Sequence, residues 1–290
     1  MIGDVLRTVA SLRPLRLMVT SITAGFLATG TLGCTPPPEA PEDLSELNRY
    51  MYREWDAEDP EVLEAGITNL DEFVQAMDFD GELGDRASAP TGLEEEDVIE
   101  VERPAGRSLL DTVNVALAYH SPWPITDHAA LIIREDQAPA QPSAPEYTRY
   151  FLNVDDPTCF VTQDCDMLQT SADVIRQNPL MSVHMSFFKS FRWTEISETD
   201  TQEARRAIVA RSWMADSFES ETPGTVLWQS YAIDIWMENS DDTVHRYQVM
   251  WSETEIPGIT DPDIIRGTLR LSMDDTFEAE DAVIADSRQR

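Results

Sequence analysis

Lysine is almost missing from this chain: Lys189 stands alone, and the remaining bases are arginines. Bases of any kind are few, 21 against 54 acids, which leaves a formal charge of −33. A surface this short of positive charge excludes nucleic acid as a partner, because phosphate binding needs clustered bases. It equally excludes electrostatic docking on anionic lipid. Glycine is scarce, 12 in 290 residues, and neither a collagen-like nor a heptad period is present. Several chemical signatures are absent too: the G-x-S-x-G elbow, H-E-x-x-H, a phosphate-cradling G-x-x-x-x-G-K, and a G-x-G-x-x-G after a strand. No cofactor is expected. What is present is a chain 42% apolar, with seven Trp and ten Phe, enough for one large domain or two small ones. Carboxylates hold water and repel neighbours while salt screens the repulsion, so the acid surplus reads as a trait of habitat rather than as a binding site.

The amino end reads as a targeting segment. Arg7, Arg13 and Arg16 precede an apolar run from Leu17 to Leu32 that Gly25 and Gly30 interrupt. That length suits a signal-peptide core. The run ends at Thr31-Leu32-Gly33-Cys34. Small residues before a cysteine at such a position resemble the lipobox of bacterial lipoproteins; Gly33 and Cys34 match it, while Thr31 and Leu32 depart from the usual residues. The resemblance covers only about the first 34 residues. It implies removal of 1–33 as a signal peptide, acylation of Cys34 (the palmitate type of modification), and anchoring in the cell envelope. Thr35 after the cysteine, in place of Asp, implies the outer membrane. The competing reading is an uncleaved membrane helix with Cys34 as an ordinary thiol. Residues 34–41, Cys-Thr-Pro-Pro-Pro-Glu-Ala-Pro, cannot extend a helix and read as a stiff tether.

Two cysteines remain, Cys159 and Cys165. A pair this close outside the cytoplasm reads as a structural disulfide, and two thiols are too few for a metal site.

Residues 42–80 read as a helical hairpin. Leu44, Leu47 and Met51 form one stripe; Asp59-Pro60 marks a second helix start, followed by Leu63, Ile67, Leu70, Val74 and Met77. Residues 81–110 are an acidic linker, with a short strand at Val98–Val101, and Gln137–Pro145 is a long loop. From 111 to 290 the period becomes two. Val113 to Tyr119, Ala130–Arg134 and Tyr147–Val154 read as strands; 166–177 is ambiguous, with a short helix one option. Ser182–Glu195 is a strand whose apolar parity changes at Phe187-Phe188, which suggests a bulge. Ala204–Phe218 fits a strand better than its alternative, a helix. The clearest element is a hairpin with its loop at 240–242, pairing Ile235 with Tyr247, Ile233 with Val249 and Tyr231 with Trp251. A last strand puts Ile265, Leu269, Leu271 and Met273 inward, and a C-terminal helix begins near Asp274-Asp275. The fold class is therefore α+β and β-rich: a curved antiparallel meander or barrel-like sheet of about seven or eight strands, one face buried and one wet, with the helical hairpin at the amino side.

Candidate chemistry is thin. His120 and His128 bracket a loop with Asp127, but two loop histidines are the plainer reading than a metal. Asp78-Phe79-Asp80-Gly81 and Asp261-Pro262-Asp263 lack the ligand ladder of a calcium loop and read as turns. The aromatics are the better lead. Tyr231, Tyr247 and Trp251 share one face of the hairpin, while Trp228 and Trp236 face away. One set is core and the other lines a ligand cavity, or both are covered by a second layer. The reading that follows is a lipid-anchored envelope protein with a non-catalytic binding role, for an apolar ligand or a protein partner. The alternatives are an envelope hydrolase using paired carboxylates and a structural or adhesion surface lipoprotein.

Overall fold

The long alternating segments pair into a single antiparallel sheet, and the helices cover its two faces. The computed structural model describes residues 39–178, 181–198 and 203–290, with no side-chain description for Asn178. The expected signal peptide, Cys34 and the first residues of the tether lie outside these. In chain order the elements are α1 (Leu44–Arg53), α2 (Pro60–Gln75), β1 (Ala87–Ser88), β2 (Val113–Ser121), α3 (Ile125–Ile132), β3 (Glu146–Phe151), α4 (Thr158–Val161), β4 (Met167–Asn178), β5 (Met181–Ile196), β6 (Arg205–Trp213), β7 (Phe218–Glu219), β8 (Val226–Glu238), β9 (Val244–Glu255) and α5 (Pro262–Arg288). The strand order is β1-β2-β9-β8-β6-β5-β4-β3, with β7 on β8, so the curved sheet stays unclosed. Strand β2 starts beside the final strand, the chain crosses to the far edge at β3, and a meander returns it to β9. Among the described residues no helix is long and apolar enough to cross a membrane.

The hairpin forms in the expected register. Ile235 pairs with Tyr247, Ile233 with Val249 and Tyr231 with Trp251. The Asn239 N–H donates to the Thr243 carbonyl at 2.8 Å, and Asp242 takes a positive φ of 63°, which closes the turn between them. One face of this hairpin carries Tyr231, Ile233, Ile235, Met237, Tyr247, Val249 and Trp251, all buried under α1 and α2.

Those helices form where their end signals place them. Asp43 caps α1 through the N–H groups of Ser45 and Glu46, and Asp59 caps α2 through that of Glu61, with Pro60 in the first helical position. Their stripes interlock with the sheet: Leu47, Met51, Leu63, Ile67, Leu70 and Val74 are fully buried. Each such side chain contributes about 1.5–3 kcal/mol of burial energy. At the helix crossing, a Cβ added to Gly66 would lie 2.5 Å from Met51 Sδ and 2.9 Å from the Tyr50 ring. Gly66→Ala is therefore expected to cost about 1–3 kcal/mol by overpacking, despite alanine's better helix propensity. A urea titration checks it; a gain in stability would mean that the helices separate easily.

The acidic segment is fastened to the fold. Arg49 of α1 pairs with Asp97 at 2.8 Å and with Glu94 at 2.9 Å, and Leu93, Val98, Val101 and Leu109 are buried in the same core as the helices and the hairpin. Its strand is Ala87–Ser88, not Val98–Val101; Glu95–Val98 is a turn of 3-10 helix, since the carboxylates of Glu94 and Asp97 cap that turn.

Other expectations change for identifiable reasons. Residues 262–288 are helix, so the anticipated last strand is absent and the C-terminal helix starts well before Asp274. Asp261 caps it and Pro262 opens it. Ile265, Leu269 and Met273 recur every four residues, a spacing that satisfies a strand's period of two and a helix's of 3.6 alike. Leu271, which fitted only the strand, is 58% exposed. Ala130–Arg134 falls largely in α3, where Ile125, Ala129 and Ile132 form the buried stripe. A short apolar run is ambiguous in just this way. Residues 166–177, open to either reading in sequence, are almost wholly strand β4, burying Leu168, Thr170, Ala172 and Val174 at alternate positions. Strand β5 pairs with β4 and β6 without a register shift, so there is no bulge at Phe187-Phe188. The parity break arises because Lys189 occupies an inward position. Nor is there a wet face at the sheet's centre: Tyr231 to Met237 of β8 are buried on both sides.

Candidate functional site

The face of the sheet opposite α1 and α2 is only partly filled. Helix α5 packs on it through Met273 and Phe277 against Val115 and Leu117, while α3 and α4 cover a second cluster around Phe191 and Trp236. Between them remains a cavity of about 160 Å³. Met185, Phe187, Phe191, Leu227, Trp236 and Met250 contribute apolar wall from the sheet, and Leu269 and Met273 contribute from α5.

Charged groups project into the same space. Lys189 Nζ lies 2.6 Å from Asp234 Oδ2, a pair that links β5 to β8. Arg246 of β9 pairs with Glu280 of α5 and stacks over Phe277 at 4.3 Å and Trp236 at 4.9 Å. Burial pushes the Glu280 carboxyl above its usual range, against the pull of Arg246 and Lys189. Each cavity carboxylate is thus held by its own cation. Two further guanidiniums line the cavity, Arg149 and Arg176.

A polar cluster closes the α3 side. Ser121 donates to Asp281 at 2.6 Å, and Tyr119 donates to the other carboxylate oxygen at 3.1 Å. His128 Nε2 lies 3.0 Å from Ser121 Oγ. With the serine proton committed to Asp281, Nε2 donates to Oγ and Nδ1 keeps the lone pair. That is the reverse of nucleophile activation, in which the histidine accepts from serine. Burial, and then Arg246, lower the His128 pKa well below its ordinary value.

The aromatics singled out in the sequence divide between places. Trp236 alone stands on the cavity wall. Tyr231, Tyr247 and Trp251 lie on the other face, where Tyr52 packs edge-on to Tyr231 and Trp251 with centroids 6.1 and 5.7 Å apart. Trp228 is half-buried at the end of β8, under the Arg107 guanidinium at 4.3 Å, with its Nε1 donating to Glu255 at 3.1 Å. Cys159 and Cys165 are joined by a disulfide. The bridge holds the loop around Phe160, whose carbonyl accepts from Trp193 Nε1 at 2.7 Å.

The histidines do not assemble a metal site. Asp127 pairs with Arg288, His128 turns to Ser121, and His120 meets His245 at 5.2 Å. Among the described residues no group of three or more His, Cys, Asp or Glu side chains is placed to hold a metal. His245 stacks on Phe79 at 4.6 Å, and burial with the neighbouring His120 lowers its pKa to about 4, against the opposite pull of Asp71. The unfolded chain therefore binds more protons than the folded one from about pH 6.5 down to about 4, and stability falls as pH falls through that window. Glu280 and Asp281, raised by burial, act in the opposite sense as pH rises through the acid range. The difference is read against His245→Gln, expected to lose about 2 kcal/mol less than the parent between those limits. Parallel curves for the two proteins would refute it.

The sequence reading missed Arg149, Arg176, Lys189, Asp234, Arg246 and Glu280. A signal existed for some of them. The hairpin register places Asp234 and Arg246 on the same face as Trp236.

No family model and no curated protein matches the chain. Among solved structures, TTHA0849 from Thermus thermophilus aligns with a TM-score of 0.42 at 8% identity, covering 60% of this chain and 98% of that one. A conserved protein from Geobacillus kaustophilus gives 0.33 at 9% identity, covering 60% and 95%. Human STARD10 gives 0.36 at 7% identity, covering 70% and 84%. Scores of this size carry no inference.

Proposed function

We propose that this chain is a lipid-anchored cell-envelope protein whose folded part binds a small ligand with an apolar portion, without transforming it. The observation that carries the binding role is the cavity between sheet and α5, which keeps about 160 Å³ unfilled among Phe, Met and Trp side chains. Protein interiors rarely leave such a space, and small-molecule sites combine apolar walls with a few polar groups. The anchoring rests on the Arg-bearing apolar amino end, Gly33-Cys34, and the proline-rich residues that follow. Acyl chains at Cys34 then hold an acidic, water-soluble body at the outer membrane.

Calorimetric titration of the full chain in phosphatidylcholine discs tests the binding role, with empty discs as the reference. Octanol or octanoate is expected to saturate a single site, and Ala232→Phe, which fills the cavity from β8, is expected to abolish binding. No saturable binding of either probe refutes the role. For the anchor, Cys34→Ser is expected to leave the chain uncut and without fatty acid by mass spectrometry. An unmodified amino terminus on the parent protein refutes it.

A further inference from the structure

In a chain with 54 acids and 21 bases, the cavity has the opposite balance: Arg149, Arg176, Lys189 and Arg246 face Asp234 and Glu280. Lys189 and Arg246 are paired to those two carboxylates. Arg149 is buried, donates to the Ile132 carbonyl and the Tyr147 hydroxyl, and lies 5.1 Å from the centroid of the Phe191 ring. Arg176 donates to Ser143 Oγ at 3.2 Å. Among the described residues no carboxylate lies within ion-pair distance of Arg176, although the surrounding chain is rich in them. Arg176 is half-buried on the cavity wall, and desolvation there lowers its guanidinium pKa. A cation partly withdrawn from water and without a counter-ion gains from an anion that supplies the missing charge.

The register shows what lies beside it. Arg176 of β4 pairs with Val183 of β5, and the alternate residues Met185 and Phe187 continue along the same strand face to Lys189. An apolar track therefore leads from the Arg176 guanidinium into the cavity.

We propose that the ligand is an amphiphilic anion: a carboxylate or phosphate-monoester head seated on Arg176, with an apolar tail along Met185 and Phe187. This rests on the cavity being a binding site and names the class of molecule it takes. The planar fork of arginine suits either oxyanion, and a charge-assisted hydrogen bond shielded from water favours the anion over a neutral alcohol of equal length.

The test titrates the disc-borne full chain with octanoate, octyl phosphate and octanol, and repeats each with Arg176→Gln and Arg176→Lys. One of the two anions is expected to bind about 10- to 100-fold more tightly than octanol, and which one it is names the head. Arg176→Gln is expected to bring that ratio near one, while Arg176→Lys keeps most of it. Circular dichroism melting confirms that both variants fold; if the glutamine variant does not, Arg176→Met, which keeps the stem without the charge, is titrated in its place and is expected to show the same loss of preference. Octanol binding as tightly as both anions, still blocked by Ala232→Phe, overturns the anionic head and leaves the cavity role standing. A preference unchanged in both Arg176 variants overturns the assignment to Arg176. Failure of all three probes removes the cavity role itself.

Discussion

Glu280→Leu is expected to destabilise the protein by about 3–5 kcal/mol, the range for removing one partner of a buried ion pair. Arg246 is 3% exposed, so the variant leaves its charge without its ion-pair partner, beside the Phe277 and Trp236 rings. Cation–π attraction offsets part of this, on the order of 1–2 kcal/mol. The loss is concentrated where α5 meets the sheet, because Glu280 is a helix residue and Arg246 a strand residue. Urea denaturation gives the magnitude, and hydrogen exchange in α5 gives the location. The double variant Arg246→Met with Glu280→Leu is expected to recover most of the loss, since the cost is that of an unpaired charge rather than of the missing attraction. A single variant within 1 kcal/mol of the parent would mean that water reaches Arg246 freely. A double variant no better than the single one would mean that the pair is itself the main link between helix and sheet.

Trp251→Ala carries the second large effect, about 3–5 kcal/mol, typical of truncating a buried tryptophan. Trp251 is fully buried on β9, and its Nε1 donates to the Thr91 carbonyl at 2.8 Å. It also meets Tyr52 of α1 edge-on. Truncation therefore opens a cavity, orphans a carbonyl and removes an aromatic contact between the helical layer and the sheet. Trp251→Phe keeps most of the volume without the donor and is expected to cost less. Cavities of this size admit indole, so partial rescue of Trp251→Ala by added indole checks the mechanism. A loss below 1 kcal/mol would show that α1 and α2 contribute little to holding the fold.

Local patterns were enough for the parts of this fold whose partners lie close in sequence. Asp59-Pro60 and the stripe from Leu63 to Val74 define α2 because capping and a helical period act within a few residues. From Tyr231 to Trp251 the hairpin register is legible to the residue, because one short turn ties the strand parities together; the shift between Leu227 and Gln229, which turns Leu227 to the cavity side, left no such signal. The Cys159–Cys165 bridge spans six positions. Helix α5 was misread because spacing of four residues is shared by both periods, and only the burial of Phe277 and Ile284 along one helical face distinguishes them.

The site was mostly not legible, for a different reason. Lys189 and Asp234 are separated by 45 residues, and Arg246 and Glu280 by 34. No alternation or cap encodes such a meeting. The sequence by itself determined the β-rich composition, the helical hairpin, the hairpin register and the close cysteine pair, because each depends on short-range geometry. Only the tertiary structure decided which face of the sheet is filled by α1 and α2 and which keeps a cavity under α5. It also decided that a strongly acidic chain turns an excess of arginine and lysine into that space. Those outcomes depend on how distant segments pack, and packing is settled by shape and charge complementarity across the whole chain.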